Sequence, residues 1–246
     1  MADGRAAAAL VERITRLLED GAYTTGERIG SERGLADGLG VTRSELRAAL
    51  DALERAGCVR RTMGRTGGVF AWDGKIERQL NTVEGLPDML RQQGVSLRTT
   101  VLAAELTLAG PTESRALRLD PGDTVFRLRR LREADGTPLS IDAMSIPSRL
   151  VPRVHELSLT DSVYRLLHLE FGIEAAEASE TMDVTPADAE QAGLLGIEAG
   201  APLFEIRRLT HDPAGTPFEY AHDLFRADRL RVTMRRRTPR WKRAPR

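Results

Sequence analysis

The chain has 246 residues, with 36 basic and 36 acidic side chains, so its net charge is zero. That length predicts two domains. No twenty-residue apolar run and no signal-peptide pattern is present, so membrane partners are excluded and a cytoplasmic protein is expected.

Leu10, Ile14, Leu17 and Leu18 fall on one face of a first amphipathic helix, closed by Asp20-Gly21. Ser31 predicts the N-cap of a second helix. Leu35 and Leu39 are its core contacts, and Gly38 and Gly40 lead into Val41. Thr42 followed by Glu45 has the spacing of a capping box. Leu46, Ala49, Leu50 and Leu53 then recur at helical spacing. Arg43 and Arg47 lie one turn apart on the flank of that stripe, beside Thr42 and Ser44. A helix-turn-helix protein carries its base-reading side chains there, because the recognition helix enters the major groove N-terminus first. A surface helix with solvated arginines is the other reading. After Gly57, residues 58–63 and 68–72 predict two short strands around a Gly64-Arg65-Thr66-Gly67 loop. Cys58 is the single cysteine, which excludes a disulfide framework and a cysteine-based metal site; a small core position suits it. Three helices and a basic hairpin make a winged helix-turn-helix over residues 1–74. Arg33, Arg60, Arg61, Gly64 and Arg65 are its further candidate DNA contacts.

This region resembles the DNA-binding domain of the GntR family of bacterial transcription regulators. The resemblance is carried by Gly26-Glu27-Arg28-Ile29, Ser31-Glu32-Arg33-Gly34-Leu35-Ala36, Gly40-Val41-Thr42-Arg43, Leu46-Arg47-Ala48-Ala49-Leu50 and Leu53-Glu54-Arg55-Ala56-Gly57. Departures are Gly30 for the usual Pro, Gly34 for Glu, and Gly-Gly-Val-Phe at the end of the wing.

Residues 75–84 are expected to be a linker. Residues 85–234 then show an internal repeat. Val125 to Leu131 matches Leu203 to Leu209. Each copy runs into a turn (Asp135-Gly136-Thr137-Pro138 or Ala214-Gly215-Thr216-Pro217) and a second strand, Leu139 to Ile146 or Phe218 to Phe225. A helix-like segment precedes each hairpin, at Glu113 to Leu119 and at Ala187 to Leu195. The pattern predicts an α+β domain with an antiparallel sheet. Strand alternation puts Phe126, Leu128, Arg130 and Arg132 on one face, and Arg208 after Phe204 and Ile206 on the matching face. Arginines there need a partner: either a carboxylate such as Asp142 or Glu219, or an anionic ligand.

The order of motifs in this half resembles the UTRA effector domain of the HutC subfamily of GntR regulators. They are Gly85-Leu86, Leu90-Arg91-Gln92-Gln93-Gly94, Leu117 to Gly122, Arg130 to Leu139, Ile146-Pro147, Pro217-Phe218-Glu219-Tyr220 and Phe225 to Arg229. The resemblance implies a chorismate-lyase-like antiparallel sheet domain with a central ligand cleft, in a homodimer. It also implies an effector site in which Arg130 and Arg132 bind an anion while Asp142 and Glu219 bind hydroxyls. Asp142 stands where Glu is commoner.

The zero net charge hides a split. Residues 1–75 carry 12 Lys+Arg against 11 Asp+Glu, residues 76–228 carry 15 against 25, and residues 229–246 carry 9 against none. DNA affinity must therefore come from locally placed arginines. The basic tail, residues 235–246, is expected to be disordered and solvated, with phosphate contacts as the alternative. No catalytic constellation, metal site or cofactor is expected. His155, His168, His211 and His222 lack metal-ligand spacing, and Lys75 and Lys242 are the only lysines, which excludes a pyridoxal-phosphate half. The expected function is a ligand-responsive regulator of double-stranded, palindromic operator DNA, a repressor modulated by a small anionic metabolite. The alternatives are an enzyme on a chorismate-lyase-like scaffold and an effector-independent DNA-binding protein in which Arg130 and Arg132 pair internally.

Overall fold

The computed structural model describes residues 2–23, 26–62, 67–81 and 83–234, with the side chains of the first helix described from residue 8 onward. It divides into two compact units, Met1–Lys75 and Ile76–Arg246.

The first unit contains helices α1 (Ala2–Glu19), α2 (Glu32–Leu39) and α3 (Arg43–Arg55), and a three-stranded sheet of β1 (Arg28–Gly30), β2 (Val59–Thr62) and β3 (Gly68–Ala71). The expected caps are present. Ser31 accepts from the Gly34 N–H and precedes α2; Thr42 and Glu45 form a reciprocal capping box on α3. Gly40 ends α2 in the left-handed conformation, at φ 68°, which glycine adopts without a Cβ penalty. Leu46, Ala49, Leu50 and Leu53 are fully buried with Leu10, Ile14 and Val59. Leu35, Leu39 and Cys58 pack on that core half-buried. Leu17, at the margin of the α1 stripe, stays 40% exposed. Strand β1 is an addition to the expected hairpin and explains Gly68. A Cβ there would lie 2.6 Å from the Gly30 carbonyl oxygen, so β1 and β3 approach as backbones.

The second unit is an α+β domain built on a six-stranded antiparallel sheet, ordered β5-β6-β7-β10-β9-β8. The two repeats are its central hairpins, β6 (Thr124–Ala134) with β7 (Thr137–Pro147) and β9 (Pro202–His211) with β10 (Pro217–Arg226). The first turn is a two-residue Asp135-Gly136 loop with both φ angles positive, at 50° and 76°, the geometry that matches strand twist. The edges are β5 (Leu97–Leu108) and β8 (Glu177–Pro186). Helices α4 (Leu86–Gln92) and α6 (Val163–Phe171) pack on the face that carries Phe126, Leu128 and Ile206. Helices α5 (Pro111–Leu117) and α7 (Ala189–Leu195) lie on the opposite face.

The stretch expected as a linker is partly folded into this unit. Strand β4 (Ile76–Gln79) pairs in parallel with β11 (Leu230–Thr233), and Ile76 is buried with Leu90 and Leu230. Parallel pairing of segments so far apart has no local sequence signal.

Glu113 ties α5 to the sheet. It accepts from its own helix cap at Gly110 N (2.6 Å), from Arg127 Nε on β6 (2.7 Å) and from Ser145 on β7. Burial pushes the carboxyl up, but these donors outweigh it and hold the pKa at about 2, below the ordinary 4.5. A depressed folded-state pKa contributes stability above the unfolded value and loses it as pH falls through the folded one. Glu113→Gln is therefore expected to cost on the order of 2 kcal/mol at neutral pH. That difference should shrink between about pH 4.5 and 2, as read by denaturant titration of both proteins.

Candidate functional site

Two surfaces carry the candidate residues. On α3, Arg43 is exposed with no ion pair or hydrogen bond among the described residues, at the N-terminal turn where the helix dipole favours anions. Thr42 and Ser44 share a hydrogen bond of 3.1 Å beside it. Arg47 is two-thirds exposed and is held by Glu32 on α2, 2.9 Å from its Nε. Arg33 is exposed and 4.0 Å from Asp37. These five residues of the sequence reading thus lie on α2 and the start of α3, open to solvent. Arg60 stacks over Trp72 at 5.0 Å. Arg61, expected to contact phosphate, has carboxylate partners within its own unit. It bonds Glu54 at 2.6 Å and Asp51 at 2.6 Å and lies 3.8 Å from Glu32. Three carboxylates on α2 and α3 pull its guanidinium inward, so it pins the wing to the helices. Gly64, Arg65 and the tail 235–246 lie outside the described residues.

The second site lies on the α4/α6 face of the large sheet. Arg130 and Arg132, two residues apart on β6, are each 2% exposed. Both bind one carboxylate. Asp142 Oδ2 accepts from Arg130 Nη2 at 2.6 Å, and Oδ1 accepts from Arg132 Nε at 2.9 Å. The register dictates this, since Asp142 is the cross-strand partner of Arg130. Burial pushes Asp142 up, but the two guanidiniums overcome it and its pKa falls. Arg132 also donates to Thr99 on β5, and Arg130 to the Leu159 and Asp161 carbonyls. The expected anion between the arginines is thus an internal one.

Glu219 anchors a second cluster. It accepts from Tyr164 of α6 and Thr210 of β9, each at 2.6 Å, and from Arg208 Nη2 at 3.2 Å. Burial opposes its ionisation, but Arg208 and the hydroxyls hold its pKa down; burial and the facing carboxylate push Tyr164 up. Arg208 also reaches Asp223 Oδ2 at 3.1 Å and Glu180 at 3.4 Å. Arg78 of β4 bonds Glu180. All four predicted effector residues line one small pocket, together with Arg78, Tyr164, Arg208 and Asp223. It shares Arg78, Glu84, Tyr164 and Arg208 with an adjoining cavity of about 540 Å³.

The sequence reading missed Arg78, Tyr164 and Asp223 as site residues. Asp223 was within reach of pattern, because it lies directly opposite Asp142 across the β7–β10 pair. Two acids in that position repel, and here both are buried. Among the described residues no group of three or more His, Cys, Asp or Glu side chains could hold a metal ion. No helix there is long and apolar enough to cross a membrane.

Winged helices with a capped, basic recognition helix, joined to an antiparallel sheet with a charged cleft, define a DNA-binding regulator with a small-molecule sensing half. Residues 6–69 match the bacterial regulatory proteins of the gntR family, and residues 92–231 match the UTRA domain. The chain belongs to the GntR family of transcription regulators, in the branch that carries a UTRA domain, and is not an enzyme. It is 28% identical over 222 residues to the HTH-type transcriptional repressor NagR of Bacillus subtilis (strain 168), covering 89% of this chain and 90% of that protein. It is 31% identical over 223 residues to the probable fructoselysine utilization operon transcriptional repressor of Escherichia coli (strain K12), with the same coverage. The crystal structure of PhnF from Mycobacterium smegmatis superposes with a TM-score of 0.65 at 28% identity, over 92% of this chain and 98% of that one.

Asp223 is 4% exposed, and burial raises its pKa to about 6 despite Arg208. A carboxyl raised in the folded state makes folding less favourable as pH rises from the unfolded value, 3.8, through 6. Asp223→Asn is therefore expected to raise the melting temperature of the free protein near neutral pH and to leave it unchanged at about pH 4. Scanning fluorimetry of both proteins at the two pH values checks this.

Proposed function

We propose that the protein is a homodimeric repressor of the HutC subfamily, acting in the cytoplasm on palindromic operator DNA and modulated by a small anionic metabolite. Arg43 carries the DNA half of this reading: its guanidinium is exposed at the entry end of the capped α3, with no ion pair among the described residues. It reads base edges, with Arg33, Thr42, Ser44 and Arg47 setting the helix on the groove. Arg60, Gly64 and Arg65 act on phosphates. The name repressor borne by NagR and by the fructoselysine utilization regulator supports the sign of regulation. The cleft carries the sensing half: Arg130, Arg132, Asp142 and Glu219 line one pocket. A dimer fits such an operator, because two-fold protein symmetry mirrors two half-sites.

Fragments flanking the gene supply the operator for a gel shift. An arginine bidentate to guanine is worth about 1–3 kcal/mol, so Arg43→Ala should lower specific affinity about tenfold or more at fixed salt while leaving the fold intact. Arg61→Ala should instead lower the melting temperature, because it leaves Glu54 and Asp51 without their cation. Unchanged operator affinity in the Arg43 variant would remove Arg43 from the interface. A screen of sugar phosphates and organic acids for release of the operator tests the sensing half.

A further inference from the structure

The charge balance of the cleft refines the chemistry of its ligand. The small pocket is lined by four arginines and four carboxylates, so its positive charge is matched before any anion arrives. The adjoining cavity of about 540 Å³ is acidic, with Glu77, Glu84, Glu177 and Glu180 against Arg78 and Arg208. A phosphate or carboxylate placed there alone adds to the excess of negative charge already present, which disfavours it.

Two buried atoms in the pocket wall sharpen this. Asp223 Oδ1 and Arg78 Nε have no hydrogen-bond partner among the described residues. Asp223 is 4% and Arg78 8% exposed, and both line the small pocket. An unmet acceptor and an unmet donor in one wall each cost free energy. Arg78 Nε takes an anionic oxygen. Asp223 Oδ1 accepts only a donor, which a carboxylate or a fully ionised phosphate ester lacks.

We propose that the effector is a zwitterion: a phosphate- or carboxylate-bearing molecule that also carries an ammonium group, the anion meeting Arg78 and the ammonium meeting Asp223 and the acidic cavity beside it. This rests on the reading of the cleft as the effector site. It goes beyond that reading in requiring the cation. A hydroxyl also satisfies Asp223 Oδ1, but it offsets none of the negative charge that the ligand's own anion adds.

The test uses pairs of compounds that differ by an ammonium in place of a hydroxyl. They are glucosamine 6-phosphate with glucose 6-phosphate, O-phosphoserine with 3-phosphoglycerate, and glutamate with 2-hydroxyglutarate. Thermal shift and calorimetry on the full chain near neutral pH read the affinities. In at least one pair the ammonium member should bind wild type about tenfold or more tightly than its hydroxyl partner, the scale of one charge-assisted hydrogen bond. Asp223→Asn should bring the two members within about threefold of each other. Binding of hydroxyl members as tightly as ammonium members in every pair overturns the zwitterion and leaves the effector cleft standing. A preference that survives both Asp223→Asn and Glu180→Gln also overturns it. Failure of every compound to bind counts against the cleft reading and the zwitterion together.

Discussion

A guanidinium withdrawn from water must have an anion within hydrogen-bond reach at all times, and the second unit is organised around that constraint. Asp142 satisfies it for Arg130 and Arg132 at once. The arrangement depends on register: a slip of one residue between β6 and β7 would turn Asp142 to the opposite face and leave two buried cations unpaired. Such a network contributes little net stability, because desolvation offsets most of the Coulombic gain. Its effect is to make one alignment of the central hairpins far better than its neighbours.

The same face changes character along its length. Phe126, Leu128, Met144 and Ile146 bury against Val163 and Leu167 of α6. The next positions of the same alternation are the arginines and Asp142. Helix α6 bridges the two regimes: Leu167 packs in the apolar part, while Tyr164 presents its hydroxyl to Glu219. Strand β4 closes the other side. It follows directly on Lys75, the last residue of the DNA-binding unit, and carries Arg78 into the cleft wall.

Elements with strong local signals were legible in the sequence. The α3 stripe, both of its capping residues and the two repeated hairpins follow from periodicity and turn chemistry, and Arg130, Arg132, Asp142 and Glu219 do share a pocket. The edge strands were not legible. In β5 and β8 most side chains are exposed, so the two-residue alternation that identifies a half-buried strand is weak. Strand β4 was hidden in a supposed linker, because its partner β11 lies at the far end of the chain. The ion pairs of Arg61 were not legible, because its sequence neighbours show a basic wing, whereas its partners Asp51 and Glu54 are on the preceding helix.

The cleft is also where this chain breaks its own rules. Arg98 with Glu133 and Glu180 with Arg208 pair opposite charges across strands, whereas Asp183 faces Glu205 across β8 and β9, with Asp183 exposed and Glu205 answered by Arg207 and His222. The acid pair in the cleft differs in being buried, where repulsion is least screened. Asp142 and Asp223 face each other, Asp223 is held with its pKa raised, and a donor and an acceptor are left unmet within the same wall. Each of these features costs stability in the free protein. The proposed zwitterion, which brings both an acceptor and a positively charged donor, would relieve all three together.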